Sequence, residues 1–564
     1  MATLSGQPVI IIGAGLSGLV AAYELTRKNI PVTIVDQEPE GSLGGQAFWS
    51  LGGIFCVNSA DQRSKGIKDS RELALADWMN TAKFDREKED YWPRQWAEAF
   101  VDFATGDMEK YLKNLGVKFI VVGWAERGSG SAHDIGNSVP RFHLTWGTGP
   151  EIVRVFAEPV LAAEKKGLVT FKFRHKVDEL VVDEKGAAVG IRGEILEPTD
   201  AVRGAATSRR AVDSFELRGQ AVLIATGGIG GDVEKVKNAW PKDRLGPNVP
   251  KSFVVGVPAH VDGRMIDIAK DAGANVVNMD RMWHYTEGLQ NWNPIWPDHG
   301  IRVIPGPSSM WLDATGRRFP PFLYPGCATL PTLKHICSTG YDYSWYVTNR
   351  RIVSKEFALS GSEQNYDLTN KSYLRLLQRA FTRYGTYEVQ DFLKNGEDFV
   401  VENDLAALVK GMNWLGSERE GPSLEYESIR KEIEARDTQA ERAYTKDAQI
   451  MLINNARQYG PDARRIPKPH KILDPSAGPL VAVRMNLLTR KSLGGLETNL
   501  DGQAMRPDGK PFPGLYAAGE AAGFGGGGVH GYSSLEGTFL GGCIFSGRTA
   551  GRALINDIVP AAKL

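Results

Sequence analysis

An α/β chain built on a parallel sheet is the expectation here, and three stretches near the start carry it. Val9, Ile10, Ile11 and Ile12 form an unbroken apolar run, the length of a buried parallel strand. Gly13-Ala14-Gly15-Leu16-Ser17-Gly18 then turns the chain sharply into a run of helix formers from Leu16 to Arg27. Val32, Thr33, Ile34 and Val35 read as a second strand, closed by Asp36.

Each glycine of that turn has its own reason. The first relieves the strand-to-helix bend, the second lets backbone approach a pyrophosphate, and the third lets the helix pack on the strand. The helix would turn its free N–H groups and positive dipole end toward the phosphates. Asp36 has the reach to accept hydrogen bonds from ribose hydroxyls. A glycine triplet alone says little in a chain with 63 glycines, and Gly523, Gly525 and Gly528 repeat the spacing. The strand before, the helix after and the acid at the right distance select the first triplet as a dinucleotide site.

Composition removes several function classes. The 564 residues can bury a large core in more than one domain. Lysine plus arginine equals aspartate plus glutamate at 67 each, so no nucleic-acid or anionic-membrane footprint is expected. No apolar run is long enough to span a bilayer, and no basic region precedes an apolar one as in a secretory signal. An intracellular protein is expected, cytoplasmic or, if Ala562-Lys563-Leu564 is a targeting signal, peroxisomal. Cys56, Cys327, Cys337 and Cys543 show no CxxC spacing, so neither a disulfide framework nor a metal site is expected.

Along the chain, Gly41-Ser42-Leu43-Gly44-Gly45-Gln46 and Ser50-Leu51-Gly52-Gly53 are backbone-rich stretches suited to close ligand approach. Helical spacing covers Asp69 to Met79 and Trp92 to Leu115. His143 and Trp146 are candidates to line a site, although a lone histidine is more often structural. Strands are expected over Phe171 to Val182, Val189 to Gly193 and Phe215 to Ile224, with Glu197 to Arg210 as a surface loop. Trp283, His284, Tyr285, Trp292, Trp296 and Trp311 crowd one segment as a ligand roof or an aromatic core would. From Tyr341 to about Tyr459 the pattern is mostly helical, with Glu432 and Arg436 one turn apart on a solvated face.

With these stretches in place, the chain resembles the flavin-binding fumarate reductase and succinate dehydrogenase superfamily over almost its whole length. Ala225-Thr226-Gly227-Gly228 resembles its ATG element, His260-Val261-Asp262-Gly263 its following turn, and Gly316-Arg317-Arg318-Phe319 its G-x-R-F element. Lys491-Ser492-Leu493-Gly494-Gly495 and Leu515-Tyr516-Ala517-Ala518-Gly519-Glu520 resemble its last two flavin elements.

The resemblance implies FAD, held by Gly13, Ala14, Gly15, Ser17, Gly18, Asp36, Gln37, Gly44, Gly45, Gln46, Ser50 and Gly52 in the first part of the chain. Val177, Ala225, Thr226, Gly227, Gly519, Glu520 and Leu535 complete the implied set. Phe48, Trp49 and Phe55 stand where members with covalent flavin carry histidine, so binding is expected to be noncovalent. The implied fold is a glutathione-reductase-like Rossmann FAD domain, residues 1–284 and 466–564, with an inserted α+β, helix-rich capping domain at 285–465.

The run His530-Gly531-Tyr532-Ser533-Ser534-Leu535-Glu536-Gly537-Thr538 decides the expected chemistry. Against the fumarate reductase pattern it puts Ser534 in place of an arginine, and a dicarboxylate needs fixed cationic forks. It resembles more the 3-ketosteroid Δ1-dehydrogenase-like proteins. There a tyrosine, here Tyr532, and a backbone N–H four residues on, here Glu536, polarise a ketone. A tyrosinate is the implied base, with Tyr324 first by position and Tyr285, Tyr343 and Tyr346 as alternatives. The expected substrate is an apolar ketone such as a 3-ketosteroid, with an external electron acceptor. A reductase of a small activated alkene and a flavin-binding protein of low activity are the other readings.

Overall fold

The structure is a computed structural model that describes residues 6–129, 134–381 and 384–558. The Ala562-Lys563-Leu564 reading lies outside these residues. The strand-turn-helix unit folds as Val9–Ile12, Leu16–Thr26 and Val32–Asp36. All four residues of the first strand are buried, as a central parallel strand covered on both faces requires.

A six-stranded sheet grows around it in the order Gln503–Met505, Pro511–Ala517, Val222–Ile224, Val9–Ile12, Val32–Asp36, Val169–Phe173. All neighbours pair in parallel except the Gln503–Met505 edge. Sequence-distant strands thus flank the glycine turn. Ile10 pairs with Val222 on one side and Thr33 on the other. The last helix, Thr538–Ile558, packs on Leu16–Thr26, where Gly547 and Gly551 leave room: a Cβ on Gly547 would sit 2.4 Å from the Ser17 carbonyl oxygen.

Two expected strands are each two strands in different sheets. Phe171 to Val182 breaks at Arg174, whose φ of 60° turns the chain, so Val169–Phe173 stays in the parallel sheet. His175–Val182 instead pairs antiparallel with Ala188–Leu196, which also carries Ala211–Arg218. Phe215 to Ile224 divides between Ala211–Arg218 and Val222–Ile224. Alternation along a strand carries no mark of the sheet it joins.

The second large sheet has eight strands and is centred on Leu480–Ser492, the longest strand. Tyr343–Asn349 is one of its inner strands, although the surrounding stretch reads as helical. Its aromatic and β-branched residues are buried on both faces, and that burial outweighs the neighbouring helical pattern. Trp311, Tyr346, Val481 and Val483 form a core on one face. Leu312, Trp345 and Ala482 form another beneath the helices Leu405–Ser417 and Tyr426–Ala440. Arg436 is 1% exposed and donates to Asp437, the His470 carbonyl and the Ser308 carbonyl, so the expected solvated pair with Glu432 is replaced by a buried anchor.

Residue 284, the expected end of the first FAD segment, falls within strand Met282–Gln290. Among the described residues no helix is long and apolar enough to cross a membrane.

Candidate active site

The glycine turn opens onto a cleft with about 1040 Å³ of free space, open solvent at its mouth included. It is lined by Gly13, Gly15, Ser17, Asp36, Gln37, Gly44, Gly45 and Gln46, and across from them by Val177, Ala225, Thr226, Gly227 and Glu520. These are thirteen of the nineteen residues expected to hold the cofactor. The close approach is visible at Gly13: at φ +103° a Cβ there would meet the Ala225 carbonyl oxygen at 2.5 Å. No side chain caps the first turn of Leu16–Thr26, which leaves its amides to a ligand. Among the described residues, Thr226 Oγ1 has no partner, buried in the cleft wall.

The other six residues shape this wall or lie elsewhere. Ala14 N–H donates to Asp36 Oδ2 at 2.8 Å, and Glu38 N–H donates to Asp36 Oδ1 at 2.8 Å. Asp36 therefore holds the turn as well as facing the cleft. Burial raises its pKa against the pull of those two amides. A Cβ on Gly18 would sit 2.2 Å from the Gly13 carbonyl oxygen, and one on Gly519 would sit 2.5 Å from Ser17 Oγ, so both glycines serve packing. Ser50 Oγ accepts from Gly52 N–H at 3.1 Å within a turn. Leu535 is buried, and its amide has no partner among the described residues; the same holds for Glu536. His260, Asp262, Gly263, Arg264 and Cys543 also line the cleft.

Beyond Glu520 the cleft meets a buried polar cluster. Glu520 accepts from Gln46 Nε2 at 2.9 Å and from Ser492 N–H at 2.8 Å. Lys491, beside Ser492, donates to the Tyr285 hydroxyl at 2.6 Å and lies 3.8 Å from the centre of the Phe539 ring. Phe539 is one helical turn from the cleft residue Cys543, so a single helix joins the two regions. Glu536 accepts from Arg302 Nη1 at 2.7 Å and from Trp283 Nε1 at 3.3 Å. Arg302 lies over the Tyr285 ring at 3.9 Å and also reaches Glu126 at 3.4 Å and Glu287 at 3.7 Å.

Burial and charge set the protonation of this cluster. Burial raises Glu126 to about 8, against Arg302. Burial would also raise Glu536, but Arg302 and Lys491 outweigh it and hold this carboxylate below its ordinary range. Burial depresses Lys491 to about 7 and pushes the Tyr285 phenol up. Arg302, Glu126 and Lys491 were not among the expected site residues. Arg302 had a signal, a lone charge in the apolar strand Gly300–Ile304. Lys491 had none beyond its place in a flavin element.

The four expected catalytic residues are not gathered in one place. Tyr285 and Glu536 share the cluster just described. Tyr532 is bracketed by Arg281 at 3.9 Å, Arg244 at 4.1 Å and Arg86 at 5.8 Å, and its hydroxyl donates to Asp85 at 2.7 Å. It borders a small cavity with Trp240 and His284. His284 stacks among Trp240 and Phe253, whereas Trp283 and Tyr285 meet Glu536 and Lys491, so the strand holds the two tyrosines apart. The Tyr532 hydroxyl, expected to polarise the ketone, donates here to Asp85. Tyr324 is half-buried in the segment after Phe319, and no hydrogen bond joins its side chain to the cluster. Tyr343 packs on Trp345 in the second sheet, and the buried Tyr346 hydroxyl has no partner among the described residues. His143 is structural, hydrogen-bonded to Ser59 Oγ at 2.7 Å and to the Arg141 carbonyl at 2.8 Å, and Trp146 packs on Tyr373.

Residues 8–540 match the family described as FAD binding domain. The KsdD-like steroid dehydrogenase of Mycolicibacterium smegmatis is 56% identical over 557 residues, 98% of this chain and 100% of that protein. The KsdD-like steroid dehydrogenase of Mycobacterium tuberculosis H37Rv is 55% identical over 551 residues, 97% of this chain and 96% of that one. In fold, the chain is similar to the 3-ketosteroid delta1-dehydrogenase of Sterolibacterium denitrificans, with TM-score 0.68 at 14% identity over 98% of this chain and 99% of that one. A match that runs from the first glycine turn to the last helix, with relatives alike along nearly their whole length, means that this chain belongs to the FAD binding domain family.

Proposed function

We propose that this protein is an FAD-dependent dehydrogenase that introduces a C=C bond beside the ketone of an apolar ring substrate, in the first place a 3-ketosteroid. The observation that supports the reading is the Tyr285–Lys491 hydrogen bond next to Glu536, whose backbone amide, like that of Leu535, has no partner among the described residues. The KsdD-like relatives support the substrate class.

FAD fits the cleft, with the Gly13 close approach for its pyrophosphate and Thr226 Oγ1 in need of a partner. When bound, FAD accepts the hydride that leaves the substrate. The remaining work falls to the chain. Tyr285 takes the proton from the carbon next to the ketone, the Glu536 N–H steadies the ketone oxygen as negative charge grows there, and the Leu535 N–H serves the cofactor. Trp283 and Phe539 keep water from the reacting carbons. An external electron acceptor completes the cycle.

A small dicarboxylate is a poorer substrate for this site. Arg302 is already committed to Glu536, Glu126 and Glu287, and Ser534 is buried and bonded to Thr538. Neither offers the free guanidinium that each carboxylate needs.

In the same reading, residues 1–284 and 466–564 form one glutathione-reductase-like Rossmann FAD domain, and 285–465 form an α+β cap inserted into it. Strand Leu480–Ser492 would then join the two, because it centres the second sheet and ends at Lys491 and Ser492 beside Glu520.

Anaerobic mixing of the FAD-loaded protein with 4-androstene-3,17-dione or a saturated 3-ketosteroid tests the reading. Bleaching of the flavin band is the expected result. Reoxidation of reduced flavin by fumarate, with no bleaching by steroids, would point to alkene reduction instead.

A further inference from the structure

Lys491 is unusual among the charged groups of this chain. It is half-buried, yet it forms no ion pair with a carboxylate among the described residues. Its hydrogen bond is to the Tyr285 hydroxyl at 2.6 Å, and the rings of Phe539 and Tyr285 cover it at 3.8 and 4.9 Å. Lost hydration disfavours an ammonium there, although the two ring faces attract one. The phenol beside it faces the opposite demand, since burial resists tyrosinate formation.

Resting on the function proposed above, we infer that Lys491 is the positioning residue that receives the substrate proton through Tyr285. The C–H bond next to the ketone breaks, and its proton bonds to the Tyr285 oxygen. The phenolic O–H breaks as its proton passes to the Lys491 amine, which becomes ammonium. The C–H electron pair becomes the new C=C bond as a hydride leaves the adjacent carbon for FAD. Tyr285 ends neutral, as it began, so no free tyrosinate is needed. The 2.6 Å contact serves both states: ammonium donates to phenol in one, and phenol donates to amine in the other.

The surroundings permit the cycle. Glu536 and Glu520 favour the charged lysine, while Arg490, Arg302 and burial oppose it. His530, which also feels this charge, is depressed to about 3 and stays neutral. Cys543, with its thiol pushed up to about 12, stays protonated. Lys491 then changes charge near pH 7, and Glu126, raised to about 8 on the far side of Arg302, is a second group of the cluster that titrates in this range. Because the pKa of Lys491 is lowered, the accepting amine form grows as pH rises through about 7.

Two measurements test this on the FAD-loaded full chain. The first needs no substrate. In protein carrying ¹³C,¹⁵N-lysine, the resonance absent from Lys491→Arg is expected to titrate near pH 7, whereas an ordinary lysine titrates near about 10.4. A midpoint above about 9 would overturn the inference whatever the substrate proves to be. The second is single-turnover flavin reduction by a 3-ketosteroid across pH. The wild-type rate should rise through about pH 7 and level off. Lys491→Met and Lys491→Arg should both fall by about 10²–10³-fold and lose that rise, with flavin still bound. Arginine keeps a donor for Tyr285 but cannot accept a proton. Recovery of the rate and its pH profile in Lys491→Arg would reduce Lys491 to a structural donor and refute the relay. If every 3-ketosteroid fails with wild type while the lysine titrates near 7, the substrate class is wrong and the amine assignment stands.

Discussion

Glu536 and Arg302 form a buried ion pair with Oε1 and Nη1 2.7 Å apart, and the same guanidinium also faces Glu126 and Glu287. The pair comes from segments far apart in sequence, the loop before the last helix and a strand of the second sheet. It ties the second sheet to the loop before the last helix. Glu536→Ala should destabilise the FAD-loaded protein by about 3–5 kcal/mol, because it strips a buried cation of its nearest partner. Urea denaturation measures this, and a loss under about 1 kcal/mol would mean that water screens the pair.

Tyr285 and Tyr532 should separate cleanly in kinetics. Tyr285→Phe removes the oxygen proposed to carry the proton and should slow flavin reduction by about 10²–10⁴-fold. Tyr532→Phe removes a bond to Asp85, a mostly exposed aspartate that water can satisfy, and should cost less than about tenfold. Rapid-mixing absorbance decides, and the reverse order would return the ketone to Tyr532.

Glu126 makes stability depend on pH. Its folded pKa is raised from 4.5 to about 8, so its contribution is fully present below about 4.5 and is lost as pH climbs through 8. The wild-type melting temperature should therefore fall across this window relative to Glu126→Gln, which lacks the titration. Parallel melting curves for the two proteins would rule the assignment out.

FAD should leave intact when the protein is acid-precipitated, since Phe48, Trp49 and Phe55 provide no histidine for covalent attachment. Gly13→Ala should abolish flavin retention, because its Cβ would meet the Ala225 carbonyl oxygen at 2.5 Å in backbone that favours glycine. The ratio of flavin to protein absorbance reports both. Yellow colour remaining on the pellet would contradict the first expectation.

Much of the cofactor cleft was legible in the sequence because its determinants are local. A strand, a glycine turn, a helix and an acid follow one another within Val9–Asp36, and each carries its own backbone requirement. The elements around Thr226 and Glu520 were equally compact, and both line the cleft. Sheet membership was less legible. The breaks near Arg174 and between Arg218 and Val222 change sheets without breaking the apolar pattern, and Tyr343–Asn349 is a strand only because neighbours bury both its faces.

What the sequence alone determined, then, is the dinucleotide turn and the family elements around it, since short spacing fixes which backbone groups can reach a phosphate. Tertiary structure alone decided the neighbourhood proposed as catalytic. It brought Lys491, Tyr285, Arg302, Glu126 and Glu536 together from five separated segments, and it turned Tyr532 to Asp85. The physical reason is that protonation and hydrogen-bond commitment depend on burial and on facing charges. Those exist only after distant strands have packed.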